Sequence, residues 1–358
     1  MQDKVRLVEL DSLRGIAALA VVLWHYRVHF QATPLFEMLA PFYLRGFLAV
    51  DFFFVLSGFV LARTYWREAR RSFLIHNVLE RVARLYPLHV ATLLVVAIGQ
   101  WLLVKQLNEN QFIYQFNDLY HFALNLGLIN YLGMQEGYSF NGPSWSISTE
   151  FFANIIFLIV IVFPRRVALT TFFGLMLASA TVLRGIMDPT ILRTLIGFFV
   201  GVILFEVFYP LAKNLRSGIY DFLFFATTIA FLLYAALPWE RNYRGQDFWV
   251  DMILFPAIVI AAPTGRFSSA VLSYRPFVFL GNISYSIYLI HFPVQLALKI
   301  LESCLSFRFP YESIAFLAVF LVLTIGCATI TYQYIEVPGK AWLKSLLSNG
   351  IAPPRLAA

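Results

Sequence analysis

The sequence predicts an all-α, polytopic bundle of transmembrane helices, with about ten spans, one further re-entrant or interfacial segment, and both termini in the cytoplasm. Composition is the first reason: hydrophobic residues make up 60% of the chain and charged residues 13%, about half the charged share of a soluble protein. Mean hydropathy is +0.73. The second reason is length, since apolar runs of the roughly 20 residues that cross a bilayer recur along the whole chain. The third is charge, because Lys and Arg gather in alternate connections.

Taken in order, the candidate segments cover residues 13–32, 46–63, 86–104, 117–134, 147–163, 166–183, 191–208, 219–237, 249–263, 277–299 and 312–334. The first follows Lys4, Arg6 and Arg14, as a secretory leader would. Asp3, Glu9 and Asp11 spoil a basic leader and no small-residue cleavage site follows, so the segment reads as a retained span. The fourth carries Asp118, His121, Asn125 and Asn130 in a weakly apolar stretch, and reads as the re-entrant or interfacial one. If it does not cross, most of the 27 basic residues fall on the side of both termini, including Arg63 to Arg71, Arg81, Arg84, Arg165, Arg166, Lys213, Lys340, Lys344 and Arg355. If it crosses, Arg165, Arg166, Lys213 and the basic tail move outside, against the positive-inside rule. One membrane-embedded domain is expected over 1–345, followed by a short cytoplasmic tail over 346–358.

The net charge of +7 follows from those inner loops, and no nucleic-acid partner is needed to explain it. Cys304 and Cys327 are too few and too far apart in type of context for a disulfide framework or a metal cluster. No metal site is expected, and no permanently bound cofactor.

Ionisable groups at bilayer depth cost about 2.5 to 3.5 kcal/mol each on insertion scales, so several together point to chemistry there. His25, Asp51, Glu150 and His291 all lie inside apolar runs. Measured from the outer ends of straight spans, their depths agree within about 8 Å, and they read as one deep layer. A second, cytoplasmic layer holds Arg14, Arg81 and Arg84. The spacing of three between Arg81 and Arg84 puts both guanidinium groups on one helical face, which suits phosphate recognition by forked hydrogen bonds. The alternative is that these arginines anchor helix ends. Arg14 and His25 are eleven residues apart, three helical turns plus about 20°, so they share a face about 16 Å apart. That is the reach of a pantetheine arm: a nucleotide thioester would rest its phosphates on arginines while its acyl carbon arrives beside His25. Histidine suits removal of a proton from a hydroxyl, with a carboxylate to fix its tautomer.

These residues sit in tracts that together resemble the acyltransferase family 3 membrane proteins, whose hallmark is a basic residue followed by His as Arg14 is by His25. The tracts are Glu9-Leu-Asp-Ser-Leu-Arg-Gly-Ile-Ala-Ala-Leu-Ala-Val-Val-Leu-Trp-His25, Asp51-Phe-Phe-Phe-Val-Leu-Ser-Gly-Phe59, Arg81 with Arg84, Pro143-Ser-Trp-Ser-Ile-Ser-Thr-Glu150, Ser284-Tyr-Ser-Ile-Tyr-Leu-Ile-His291 and Ile335-Glu-Val-Pro338. The resemblance spans nearly the whole chain. It implies an enzyme of the bacterial inner membrane that moves an acyl group, usually acetyl from acetyl-CoA, to a hydroxyl of an extracytoplasmic or lipid-linked glycan. It also implies roles: His25 catalytic, with Asp51 and Glu150 in support; Arg14, Arg81 and Arg84 on the acyl-CoA; Trp145, Ser146 and His291 toward the acceptor. Ser57, Gly58, Gly197 and Gly201 read as helix-packing positions. Some family members carry a fused C-terminal esterase-like domain; without one, transfer is expected to finish here or to pass to a separate partner. Alternatives are acylation of a hydrophobic small molecule such as a macrolide and, from another class, a proton-coupled transporter.

Overall fold

The computed structural model describes residues 6–66, 74–212, 216–237 and 247–350, the last four by backbone alone. Lys4, the basic residues at 67–71, Lys213 and the tail from 351, all named in the charge reading, lie outside them. The described residues are helical and contain no strand. Among the described residues seven segments are long and apolar enough to cross a membrane: Leu48–Tyr65, Leu74–Gln106, Gly142–Val160, Pro189–Ala212, Ser217–Ala236, Ser284–Leu305 and Ile314–Leu346. Val250–Ala261 with Arg266–Leu272, bent by 85°, makes an eighth if the pair is one span. The opening helix α1, Val8–Phe30, falls outside that set although it has 23 residues, because Arg14, His25, Arg27 and His29 lower its hydropathy. The expected fourth segment is helical only over Leu119–Leu126, eight residues, about 12 Å and far short of a bilayer.

The chain forms two compact units, one of residues 1–64, 169–186 and 192–288, the other of 65–168, 187–191 and 289–358. In the first, α1 packs along α2 (Phe36–Arg45) and α13 (Arg275–Asn282). Ser12 donates to the Leu272 carbonyl at 2.6 Å, satisfying one of the acceptors that the end of α12 (Arg266–Leu272) leaves open. At the other end of α12, Asp221 from α10 (Ser217–Ala236) accepts from the backbone N–H groups of Phe267 and Ser268 at 2.9 and 2.8 Å, which holds the bend after α11 (Phe255–Ala261). Helices α3 (Leu48–Tyr65) and α8 (Pro189–Ile203) approach backbone to backbone. A Cβ on Gly58 would strike the Phe198 carbonyl, and one on Gly201 the Val55 carbonyl, so only glycine permits this contact. Burial separates centre from rim: 72% of the α3 window is buried against 17% for α10, whose Ile219, Phe222, Ile229 and Leu233 are exposed, as a lipid-facing helix requires.

In the second unit, the long helix α4 (Leu74–Trp101) packs on α16 (Val337–Gly350). Lys344 bonds Glu80, and Gly339 lies against Pro87. Because α16 is continuous through 345 and 346, the tail expected to begin at 346 starts as helix.

Candidate active site

The predicted site residues divide between the two units. The first holds Arg14, His25 and Asp51; the second holds Arg81, Arg84, Trp145, Ser146, Glu150 and His291.

Arg14 and His25 both stand on the uninterrupted α1, which preserves the three-turn spacing. His25 is 6% exposed. Its Nδ1 lies 3.1 Å from the Val21 carbonyl one turn earlier. A carbonyl only accepts, so Nδ1 carries the hydrogen and the neutral ring keeps its lone pair on Nε2, the tautomer of a general base. The rings of Trp24 and His29 flank it at 4.6 and 4.9 Å. Arg14 donates to Asp11 at 3.1 Å, and Arg6 binds the other oxygen of the same carboxylate at 2.6 Å.

Asp51 gives both its oxygens to Arg193 on α8, at 3.0 and 2.6 Å. Asp51 is 1% exposed. The pair lines a cavity of about 70 Å³ with Arg184, Asp247 and Asp251. Arg193 was not singled out from the sequence, although an arginine inside an apolar run is itself a signal of a partnered or functional charge.

In the second unit the structure corrects the two-layer reading. Arg81 NH2 and Glu150 Oε1 are 3.5 Å apart, so these residues occupy one level rather than two. The cause is the course of residues 107–144, which doubles back along α4. Gln100, near the end of α4, exchanges two 2.9 Å hydrogen bonds with Phe112. His89 Nε2 bonds the Asn125 carbonyl at 2.8 Å, and the Tyr86 hydroxyl bonds the Leu126 carbonyl at 3.0 Å. From Gln100 to Tyr86 the chain has thus descended about 21 Å along α4. Helix α6 (Trp145–Val160) starts at that depth, and its sixth residue, Glu150, reaches Arg81.

Buried amides fix this start. Asn125 donates to Ser139 at 2.9 Å and accepts from Ser144 at 3.3 Å, while Asn130 donates to Ser144 at 3.2 Å. Ser148 donates to the Leu128 carbonyl at 2.9 Å, and Ser146 to the Pro143 carbonyl at 3.3 Å. Pro293 in α14 (Ser284–Leu305) has no N–H to give the Leu289 carbonyl. Asn141 supplies the missing donor at 3.0 Å, tying the segment before Trp145 to the turn that carries the fully buried His291. Outside the spans, the backbone N–H of His121 holds the Asp118 carboxyl below its usual range, consistent with its capping the short helix α5, Leu119–Leu126. Asn141 escaped the sequence reading; the signal lay in Pro293, which leaves a helical carbonyl open.

Bilayer-length apolar helices that carry buried ionisable groups define a multi-span membrane protein. The chain belongs to the acyltransferase 3 family, whose model, an acyltransferase domain, matches residues 7–333. It is similar to "Protein 2 in picA locus" of Rhizobium radiobacter, 32% identical over 165 residues, which cover 42% of this chain and 81% of that protein. It is 26% identical over 307 residues to the putative membrane-bound transacylase BcsY of Komagataeibacter xylinus, covering 81% of this chain and 73% of that one. It is 25% identical over 368 residues to the O-acetyltransferase OatA of Staphylococcus aureus strain NCTC 8325 / PS 47, covering 92% of this chain and 56% of OatA. No solved structure matches it.

Proposed function

We propose that the protein is an inner-membrane O-acyltransferase that moves an acyl group, first of all acetyl, from cytoplasmic acyl-CoA to a hydroxyl of an extracytoplasmic or lipid-linked glycan. The observation that carries this reading is α1, one unbroken helix with a basic residue at Arg14 and a buried imidazole eleven residues on at His25. Relatives named as an O-acetyltransferase and a transacylase support acyl transfer to oxygen.

In this reading Arg14, Arg81 and Arg84 hold the phosphates of the donor, with Glu150 aligning Arg81. His25 Nε2 takes the proton of the acceptor hydroxyl as its oxygen attacks the thioester carbonyl. The C–S bond breaks, and the departing thiolate takes the proton back from the imidazolium. In the alternative route Nε2 attacks the thioester carbonyl first, the C–S bond breaks and the thiolate leaves with the acyl group on the imidazole; the hydroxyl then displaces the imidazole from the acyl carbon and its proton passes to the thiolate. The family resemblance assigns Asp51 a supporting role and gives Trp145, Ser146 and His291 to the acceptor. Arg84→Ala should weaken donor binding tenfold or more, since a charge-assisted hydrogen bond contributes about 1.5 to 3 kcal/mol. Arg81→Ala should do the same and also lower thermal stability, because its ion pair with Glu150 is lost. Calorimetry of donor binding on the folded variants checks both; unchanged affinity returns the two arginines to helix anchoring.

Seven apolar segments and the bent pair are long and apolar enough to cross; this reading adds α1 and α7 (Arg165–Ala180) to make ten, an even number that puts both termini on one side, and the positive-inside rule makes that side the cytoplasm. Reporter fusions after Arg165 and Lys344 should then both give cytoplasmic signals; extracytoplasmic signals at both would overturn the topology. The expected inner position of Lys213 lies outside the described residues.

A further inference from the structure

Helix α1 continues past His25 into a cavity of about 560 Å³, lined among others by Trp24, Arg27, Gln31, Thr33, Arg45 and Phe47. Two of these residues are cations, and among the described residues no carboxylate lines the space. Arg27 donates to the Tyr43 carbonyl at 3.1 Å, and among the described residues it forms no ion pair. Arg45 is 4% exposed. Its guanidinium lies over the Tyr234 ring at 5.5 Å and forms an ion pair with Asp247 at 3.8 Å, longer than a hydrogen bond. Among the described residues Arg45 makes no hydrogen bond. A buried fork of N–H donors in that state matches the two oxygens of a carboxylate or phosphate. The third element is Trp24, whose indole lines the cavity while its ring centroid stands 4.6 Å from that of His25. An indole supplies an apolar face beside a polar edge, the surface on which a sugar ring lies flat. The cavity is also at the far end of α1 from Arg14, about 20 Å along the axis between Arg14 and Arg27.

We propose that this cavity is the acceptor subsite and that it selects a saccharide carrying an oxyanion, a carboxylate or a phosphate ester, held by Arg27 and Arg45 with its ring against Trp24. The assignment rests on the acyltransferase reading, since it is that reading which places an acceptor near His25. It goes further in naming an acidic glycan rather than a neutral one. A bound unit on Trp24 stands against the ring that abuts the His25 imidazole, which itself does not line the cavity. Phospholipid headgroups offer the same oxyanion, so the test separates the two sources.

Purified full-length protein in phosphatidylcholine nanodiscs is titrated with tetragalacturonate and with cellotetraose, and binding is followed by tryptophan fluorescence and calorimetry. The wild type should bind the acidic probe roughly tenfold or more tightly than the neutral one, with a preference that shrinks as salt rises. Arg27→Gln should remove most of that preference, and Arg27→Lys should retain part of it. Equal binding of the two probes by wild type, or an undiminished preference in Arg27→Gln, overturns the proposal. Should Arg27→Gln not fold, the Arg27→Lys comparison and the salt dependence decide. Repeating the titration in phosphatidylglycerol nanodiscs distinguishes the source: loss of saccharide binding there marks a lipid-headgroup site and also overturns it, whereas an unchanged affinity supports it. Transfer of label from acetyl-CoA is scored separately. Selective binding without any transfer leaves the subsite standing and sinks the acyltransferase reading; transfer to cellotetraose and tetragalacturonate alike does the reverse.

Discussion

Arg193→Ala should destabilise the protein by about 3 to 5 kcal/mol, the usual effect of removing one partner from a buried ion pair. Asp51 is 1% exposed and gives both oxygens to Arg193, so the variant leaves a buried carboxylate without its cation. The pair also joins α3 to α8 about two turns from the Gly58 and Gly201 contacts, so its loss loosens the packing of these two helices. Replacing both charges, Asp51→Leu with Arg193→Met, should recover most of the stability, because an apolar pair of similar volume carries no desolvation cost. A double-mutant cycle on thermal or denaturant unfolding in nanodiscs measures the coupling. A single-variant loss below about 1 kcal/mol would mean that the carboxylate is solvated or protonated in the native state.

The largest kinetic effect should come from His25→Ala. A positioned acid or base contributes about 10² to 10⁴-fold, equivalent to about 3 to 5.5 kcal/mol of barrier, and both routes open to His25 require the imidazole. Donor affinity should stay close to wild type, since the arginines assigned to the phosphates are untouched. Asp51→Asn and Glu150→Gln should cost less than His25→Ala if they act through other residues. A collapse of donor affinity in step with the rate would instead make His25 a donor-binding residue.

Much of the architecture was legible because the bilayer leaves few options: apolar runs of sufficient length become helices, and seven did. The polar cluster of Asp118, His121, Asn125 and Asn130 also announced a segment that could not cross. Its path was not legible. The descent along α4 depends on single long-range contacts, Gln100 with Phe112 and His89 with Asn125, which leave no periodic trace in sequence. That path decides where α6 begins, and so a depth counted from the outer end of a straight span misplaced Glu150 relative to Arg81.

The site was legible in the same uneven way. Spacing alone put Arg14 and His25 on one face, because an unbroken helix has fixed pitch. The partners of the buried charges were harder to foresee. Arg193 stands 142 residues from Asp51 in the chain, and nothing in either local sequence names the other. Asn141 meets the Leu289 carbonyl across 148 residues. Even so, each partner left a local hint: an arginine within an apolar run, and a proline within a helix.

Transfer from the donor is the most direct test of the central claim. Labelled acetyl-CoA is supplied to inverted membrane vesicles containing acceptor, with wild type and His25→Ala matched for expression, and label in the glycan fraction is counted over time. Wild-type vesicles should transfer label steadily, and His25→Ala should fall to about 1% of that rate or less. Near-wild-type transfer by His25→Ala would contradict the account.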